Sequence, residues 1–473
     1  MIKRVSICVA VCVAALAAPA GAGAVDGTPV PGQYIVVLKH GANGQAVAAA
    51  HARSAHARIL HTYDAALHGY SAQLSDAGLA KVKADPRVAF VTPNRAANVL
   101  AGQTLPTGIN RVDADLSPTA QRAGDGSGSA TGLTTTTTST DPTTGEVTTS
   151  SSTIQSDVAI YDTGIDVKHP DLNVAGGVDC LDATDTYNDG TYNDGFGHGT
   201  HIAGTIAAKD DGVGVVGVAP GVRVWAVRVD NKLAVATTSS QLCGINWITQ
   251  NGPSLGIKVV NSSQGLIGGK DDGNCGYTNG DVMHQAICAS TQAGILWVFS
   301  AMNSTIDFAN TGGAGYDEGL TVTAMADGNG QPNVGSTMKF SCKSAISSNG
   351  SNTITEVDDT AATFSNYAVN AADQAHTVAA PGVCIWSTFK GQSYGYMSGT
   401  SMAAPHAAGV AELCILSGQC SGTPANTIQK LRSDAAAYNV ANPGFGFKGD
   451  PLRPLTGKQA GRYYGFLIRA GLY

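Results

Sequence analysis

The stretch Ser398-Gly399-Thr400-Ser401-Met402-Ala403-Ala404-Pro405-His406 places a serine at the start of a helix that we predict over residues 402–416. Small residues on both sides of Ser401 leave room for another backbone to approach its hydroxyl group closely. Pro405 falls in the first turn of the helix, where a missing N–H group does little harm. Unpaired N–H groups at such a helix start favour a serine that attacks a carbonyl, because they stabilise the oxyanion that forms. A purely structural helix start is the alternative, and an upstream base and acid would decide between the two.

The chain from residue 157 onward alternates between short apolar runs and helical patterns. We predict strands over residues 158–161, 222–227, 257–261 and 295–299, and helices over residues 202–208, 241–251 and 281–293. Strands of this kind, rich in Val, Ile and Leu and joined by helices, are typical of an α/β fold with a buried parallel sheet. In such sheets the active residues collect just beyond the carboxyl ends of the strands.

Three residues upstream of Ser401 complete a site for acyl transfer. Asp162 directly follows the predicted strand 158–161, and His198 opens a glycine-flanked helix of small residues. In such a site the serine attacks, the histidine takes its proton, and the aspartate orients the imidazole ring and stabilises the imidazolium. The chain order Asp…His…Ser matches one of the known convergent arrangements. Asn303, just past the predicted strand 295–299, is placed to donate its amide N–H to the oxyanion.

Three segments of this chain resemble the signature motifs of the subtilisin-like serine proteases, or subtilases. They are Asp-Thr-Gly-Ile-Asp at 162–166, His-Gly-Thr-His-Ile-Ala-Gly-Thr at 198–205 and Gly-Thr-Ser-Met-Ala-Ala-Pro-His at 399–406. The resemblance implies an α/β subtilisin-like catalytic domain and a secreted endopeptidase that cuts proteins or peptides through an acyl-enzyme on Ser401. It implies that Asp162, His198 and Ser401 form the triad, that Asn303 is the oxyanion donor, and that catalysis needs no cofactor. The first histidine of the second motif is the catalytic one in this family.

The resemblance also suggests how substrate is bound. Ser263, Gln264 and Gly265 correspond to the turn that binds the substrate backbone and lines the specificity pocket, and Met302 lies beside the oxyanion asparagine. The family usually has glycine at position 302 and an apolar wall residue at position 264. A methionine there would narrow the pocket or strain the backbone. We therefore expect a preference for small or polar substrate side chains.

A structural calcium ion is compatible with two further carboxylates. Asp171 and Asp211 fall where some subtilases bind calcium, and carboxylate oxygens suit that cation. The two residues supply only part of the six or more ligands that calcium takes. The sequence therefore indicates an incomplete calcium site, in which the remaining ligands are unassigned.

The N-terminal part of the chain predicts a precursor. Residues 1–24 have the charged start, apolar run and small-residue end of a secretory signal peptide. Residues 25–100 resemble the family's propeptide, which chaperones folding and then inhibits the enzyme, and their pattern predicts a small ferredoxin-like α+β unit. We expect its helix over residues 45–59 and self-processing between about residues 97 and 106. Residues 101–473 would be the peptidase domain, with a Thr/Ser-rich insertion at about 117–156 that we predict to be a mobile surface loop.

The composition excludes some classes of protein. The 28 basic and 35 acidic residues give a net charge of −7, and no basic block favours binding to nucleic acid. No apolar run after residue 24 is long enough to span a bilayer, so we expect an extracellular protein, and we expect it to be a monomer. Eight cysteines remain after residue 24, and an even number in an exported chain predicts disulfide bonds. Short loops favour Cys275–Cys288 and Cys414–Cys420, and the pairing of the other four stays open.

Two other classes of function remain as alternatives. A catalytically impaired subtilase-fold protein with a binding or structural role is favoured only by Met302, since Asp162, His198 and Ser401 are all present. A metal-dependent hydrolase built on His198 and His201 would need the glutamate of a His-Glu-x-x-His pattern, and this pattern does not occur at these two histidines. The sequence therefore favours a serine endopeptidase.

Overall fold

The computed structural model describes residues 29–39, 41–64, 67–95, 103–121, 129–140, 144, 147–185, 188, 190–345 and 353–473. The predicted signal peptide lies outside the described residues, as do residues 97–102 of the predicted processing region. The described chain forms two compact units, one before residue 102 and one after it. In the part of the chain that is described, helices long and apolar enough to cross a membrane are absent.

The first unit is a four-stranded antiparallel sheet with two helices. Its elements are β1 (Pro29–Leu38), α1 (Gly44–Ser54), β2 (Arg58–Tyr63), β3 (Gly69–Gln73), α2 (Asp76–Lys83) and β4 (Val88–Arg95). The strands lie in the order β2-β3-β1-β4, which confirms the predicted ferredoxin-like arrangement. The predicted helix 45–59 is too long, because α1 ends at Ser54. His56 then adopts a left-handed backbone with φ of 53°, which a continuing helix cannot contain, and β2 begins at Arg58.

The second unit is built on an eight-stranded sheet. Its helices are α3 (Thr107–Arg111), α4 (His198–Ala207), α5 (Thr238–Leu255), α6 (Val282–Gln292), α7 (Ala371–Gln374), α8 (Thr400–Leu416) and α9 (Pro424–Ala441). Its strands are β5 (Thr134–Thr140), β6 (Val147–Thr153), β7 (Asp157–Asp162), β8 (Val174–Asp179), β9 (Val224–Arg228), β10 (Ile257–Ser262), β11 (Leu296–Ser300), β12 (Leu320–Ala326), β13 (Lys339–Lys343), β14 (Thr353–Val357), β15 (Thr360–Ala361), β16 (Thr377–Pro381), β17 (Ile385–Phe389) and β18 (Ser393–Met397).

The large sheet has the order β15-β12-β11-β10-β7-β9-β8, and β16 also pairs with β12. All pairs in it are parallel except β12 with β15, which confirms the predicted parallel-sheet fold. Side chains alternate between two apolar cores along β7. Val158 and Ile160 pack in the core that contains α4 and α8, whereas Ala159 and Tyr161 pack in the core that contains α5 and α6. Because both faces are covered, the exposed carboxyl ends of the strands are left for the site.

The Thr/Ser-rich insertion contains a β-hairpin where we predicted an irregular loop, so the prediction of irregular structure is wrong for residues 134–140 and 147–153. β5 and β6 pair antiparallel from Thr134 opposite Thr153 to Thr140 opposite Val147. Hydroxyl groups bond across the strands, as between Thr137 and Ser150 at 2.8 Å. β-branched threonine favours an extended backbone, which a composition argument about burial does not take into account.

Four disulfide bonds hold the second unit. Two of them, Cys275–Cys288 and Cys414–Cys420, confirm the predicted local pairs. The other two are Cys180–Cys243 and Cys342–Cys384, which close loops of 63 and 42 residues. Their partners are far apart in the sequence and are brought together by the sheet, so spacing alone did not indicate them.

Candidate active site

Asp162 and His198 form a hydrogen-bonded pair at the carboxyl end of β7. Asp162 is the last residue of that strand and is buried, and its Oδ1 and Oδ2 lie 2.8 and 2.9 Å from Nδ1 of His198. His198 is the first residue of α4, which follows Gly197 with a left-handed φ of 113°. A side chain at position 197 would lie 2.5 Å from the Phe389 ring, so glycine allows this close helix start.

The pair gives the imidazole the properties of a general base. Burial lowers the pKa of His198, but the charge and hydrogen bond of Asp162 outweigh burial, so the net pKa is raised above its usual value. Smaller contributions come from Asp230 and Asp194. With Nδ1 bonded to the carboxylate, Nε2 is the nitrogen that can accept a proton. The pair can therefore hold the proton that a nucleophile releases.

Ser401 lies at the second position of α8, and its hydroxyl group is bonded to backbone. Its Oγ donates to the Ser263 carbonyl at 2.8 Å, and the Ser263 hydroxyl donates to the Ser401 carbonyl at 2.8 Å. In the described structure, Ser401 does not form the hydrogen bond to His198 that would complete a catalytic triad. Catalytic hydrogen bonds often form only in the substrate complex. Proton transfer to His198 requires the Ser401 hydroxyl to turn away from Ser263.

Asn303 follows β11 and is oriented by the start of α8. Its Oδ1 accepts hydrogen bonds from the N–H of Thr400 at 2.8 Å and from the Thr400 hydroxyl at 3.0 Å. These bonds assign the oxygen side of the amide, so Nδ2 is the donor side. Nδ2 lies 3.4 Å from the point that a Cβ on Gly399 would occupy. An N–H donor therefore lies beside the start of the helix that carries Ser401, as an oxyanion site requires.

The four predicted substrate-binding residues line one cleft. Ser263, Gln264, Gly265 and Met302 border a cleft of about 350 Å³, together with Asp162 and His198. Nε2 of Gln264 is buried without a hydrogen-bond partner among the described residues, so it can donate to a bound ligand. Gln264 therefore gives this wall of the cleft a polar group.

Met302 has a backbone that favours glycine. Its φ is 74°, in the left-handed region where a side chain is strained. Its side chain extends to Gly265, where its Cε would lie 3.3 Å from a Cβ. The Ser300 hydroxyl also contacts its sulfur at 3.6 Å. The methionine therefore occupies part of the cleft wall.

Asp230 is a residue of the cleft that the sequence analysis missed. It lies two residues beyond β9, and its N–H donates to the Asp162 carbonyl at 3.4 Å. Burial, with the charge of Asp162, raises the pKa of Asp230 to about 8 against the opposite effect of His198. The sequence could have indicated Asp230, because it follows a predicted strand. The rule that active residues lie beyond the carboxyl ends of parallel strands had already identified Asp162 and Asn303.

The surroundings of Asp171 fit a cation. Its Oδ2 accepts from the N–H of Val215 at 3.0 Å and from Tyr394 at 3.2 Å, but its buried Oδ1 lacks a partner among the described residues. Burial raises the pKa of Asp171 to about 6, and the charge of Asp211 acts in the same direction. The carbonyls of Lys209 and Val215 both accept from Nε2 of Gln103, so several oxygens are close together.

Two other groups of side chains have the composition of metal ligands. One contains Asp271, Asp272 and His284, and the other contains Asp317, Asp373 and His376. The sequence analysis did not identify either group, because their members come from separate loops and helices. Cys275 and Cys288 lie close to Glu318, but their sulfurs are joined in a disulfide and do not act as thiolate ligands.

Comparison with known proteins gives two family matches. Residues 155–448 match the subtilase family, and residues 33–99 match the peptidase inhibitor I9 family. The chain is 30% identical to the thermostable alkaline protease of Halalkalibacterium halodurans, over 72% of this chain and 71% of that protein. It is 31% identical to subtilisin E of Bacillus subtilis, over 77% and 74% of the two chains. A solved structure of a cold-adapted subtilisin-like serine proteinase matches with a TM-score of 0.46 and 25% identity, over 67% of this chain and 88% of that one.

Proposed function

Because the chain belongs to the subtilase family and is a serine protease precursor, we propose that it is a secreted, self-processing endopeptidase that cuts proteins through an acyl-enzyme on Ser401. The observation that carries this proposal is the hydrogen-bonded pair of buried Asp162 and partly exposed His198, with the two nitrogen–oxygen distances of 2.8 and 2.9 Å. An aspartate that holds Nδ1 of a histidine leaves Nε2 facing outward, which is the arrangement that general-base catalysis uses. The proton would come from the hydroxyl group of Ser401, which lies at the start of α8 beside the Asn303 amide.

In the proposed mechanism, Ser401 attacks the substrate carbonyl while Nε2 of His198 takes the hydroxyl proton. Asp162 holds the ring and stabilises the imidazolium. Nδ2 of Asn303 and the backbone N–H of Ser401 donate to the oxyanion. The tetrahedral intermediate then expels the amine, which receives the proton from His198, and an acyl-enzyme remains. Water, deprotonated by the same imidazole, releases the acid and restores Ser401.

We further propose that residues 1–24 are removed on export and that residues 25–100 act as an inhibitory propeptide of the enzyme at 101–473. The match of residues 33–99 to an inhibitor family supports this division. The four disulfide bonds are typical of an oxidising, extracellular location. The enzyme would act as a monomer on protein or peptide substrates, without a cofactor for catalysis.

Purification of the secreted product with N-terminal sequencing tests the proposal. The native chain should begin between about residues 97 and 106, whereas the Ser401→Ala chain should retain the propeptide. A fluorophosphonate probe should label Ser401 in the native protein alone. An unlabelled, full-length native chain would instead indicate a catalytically impaired binding protein. The left-handed backbone of Met302 and the bond from Ser401 to Ser263 are the observations that favour this second function.

The wall formed by Gln264, Gly265 and Met302 supports a preference for small or polar side chains at the one substrate residue that contacts it. Met302 reduces the width of the cleft beside Gly265, and Gln264 offers an unpartnered amide donor to a polar substrate group. Steady-state rates on peptides that differ at one residue test this preference. A strong preference for large aromatic side chains would contradict it.

A structural calcium ion between Asp171 and residues 209–215 is part of the proposal. Oδ1 of Asp171, which lacks a partner among the described residues, would hold it. The carbonyls of Lys209 and Val215 would do so in place of their bonds to Gln103, and Asp211 would add charge. We predict that chelation by EDTA lowers the melting temperature by about 5 °C, because calcium bound only to the folded state stabilises it. Added calcium should restore the melting temperature. The Asp171→Asn chain should not respond to either addition, and the matched Asp115→Asn chain should respond like the native chain.

A further inference from the structure

Asp230 is a buried acid of the cleft that the proposed mechanism does not use. It is 5% exposed and lies at the same edge of the sheet as Asp162. It borders the cleft together with His198, Ala234 and Ala236. Residues 230 and 236 also pair as an isolated antiparallel bridge, so the segment between them forms a short projecting turn.

Within the described parts of the chain, the carboxyl group of Asp230 has no partner of opposite charge. Among the described residues, none donates a hydrogen bond to it and none of the lysines or arginines forms an ion pair with it. Its charged neighbours are Asp162, which repels it, and His198, which attracts it only when protonated. Burial and Asp162 favour the protonated acid, and a nearby cation would favour the carboxylate. A buried carboxylate without a partner is energetically costly. A cation carried by a bound ligand would therefore be a suitable partner for Asp230.

We propose, on the premise of the endopeptidase function above, that Asp230 is a specificity-determining residue that binds the side-chain cation of a substrate lysine or arginine near the scissile bond. The cation would lie between His198 and the segment 230–236. Asp230 would give up its proton to solvent and form a charge-assisted hydrogen bond with the substrate.

The walls of the cleft agree with a long cationic side chain. Ala234 and Ala236 carry only methyl groups, which leave space for an aliphatic stem and give it an apolar surface. The volume of about 350 Å³ lies within the range of specific ligand pockets. The proposed enzyme, residues 101–473, has 19 basic and 31 acidic residues, and this net charge of −12 also favours cationic over anionic substrates.

Matched peptides test the assignment. The full chain is expressed and allowed to mature, and kcat/KM is measured on peptides that carry either lysine or norleucine at each of three positions on both sides of the cut. The ratio of the two values cancels general losses of activity. At one position the value for the lysine peptide should exceed that for the norleucine peptide by about tenfold to a hundredfold. This range corresponds to the free energy of one hydrogen bond to a charged group. The ratio should fall close to one in Asp230→Asn and recover in part in Asp230→Glu.

Two controls separate this proposal from the one on which it rests. Asp115→Asn removes the same charge from an exposed site outside the cleft and should keep the native ratio. If the Asp230→Asn chain does not fold, Asp230→Ser serves the same purpose. Native enzyme that cuts both peptides with a ratio near one at every position would overturn the assignment and leave the endopeptidase standing. So would a lysine preference that persists without Asp230. Native protein that cuts neither peptide and takes up no fluorophosphonate would instead defeat the endopeptidase proposal.

Discussion

The starts of α4 and α8 each carry one proposed catalytic side chain, but they hold it in different ways. At α4, the His198 ring is bonded directly to its partner, the buried carboxylate of Asp162. At α8, the Ser401 hydroxyl is bonded to the backbone of Ser263, and the preceding Thr400 is bonded to Asn303. The proposed base is therefore held in place before substrate binds, whereas the proposed nucleophile has to exchange one hydrogen-bond partner for another. Substitutions at the two starts should differ accordingly.

The largest effect is expected at α4. Asp162→Asn should lower kcat by about 10⁴-fold, because the amide no longer stabilises the imidazolium and favours the wrong tautomer. The measurement is kcat/KM against pH. In the native enzyme His198 must lose its proton to act as the base, so activity should fall with acid through a pKa above the usual 6.5. In the variant this pKa should decrease, because the charge that raises it is gone.

Asp115→Asn is the control for this experiment, since it removes one carboxylate from an exposed site. Its pH profile should match the native profile. A loss of less than about tenfold in Asp162→Asn would mean that the fixed pair at α4 is structural. The different hydrogen bonding of His198 and Ser401 would then not explain catalysis.

A smaller effect is expected beside α8. Asn303→Ala should lower kcat by about 10²- to 10³-fold with little change in KM, because the amide donates only to the oxyanion of the transition state. Asn303→Asp keeps an oxygen that can accept from Thr400 but removes the N–H donor, so it should be impaired at least as much. Raised KM with native kcat would place Asn303 in ground-state binding instead.

The same contrast explains how much of the molecule could be predicted from its sequence. The strand ends, the parallel sheet and the helix at residues 402–416 follow from apolar periodicity and from small residues at the helix start. The pairing of Cys180 with Cys243 depends on which strands are neighbours, which the sequence does not state. The hairpin at β5 and β6 was missed because its threonine and serine hydroxyl groups bond across the strands while its described side chains stay exposed to solvent.

The site was predictable where one short segment contains both the side chain and the reason for its geometry. His198 follows a glycine that the helix start needs, and Asp162 ends an apolar run. The bond from Ser401 to Ser263 joins residues 138 positions apart, and local sequence carries no sign of it. Asp230 was missed for a related reason, since its proposed role depends on which described residues surround it in the folded protein, and these come from distant parts of the sequence.

Met302 should give the smallest effect, because it changes the wall of the cleft and leaves both helix starts in place. Glycine at its φ of 74° avoids a strain that any side chain meets, whereas alanine keeps the strain and removes the bulk. Met302→Gly should therefore be about 1 kcal/mol more stable than Met302→Ala in thermal or denaturant unfolding. Both variants should cut peptides with large aromatic side chains several times faster than the native enzyme, because both remove the contact with Gly265. Equal stability of the two variants would show that the backbone at position 302 is not strained. Unchanged selectivity in both would mean that the methionine does not limit the cleft, and Gln264 would then be the wall residue to substitute next.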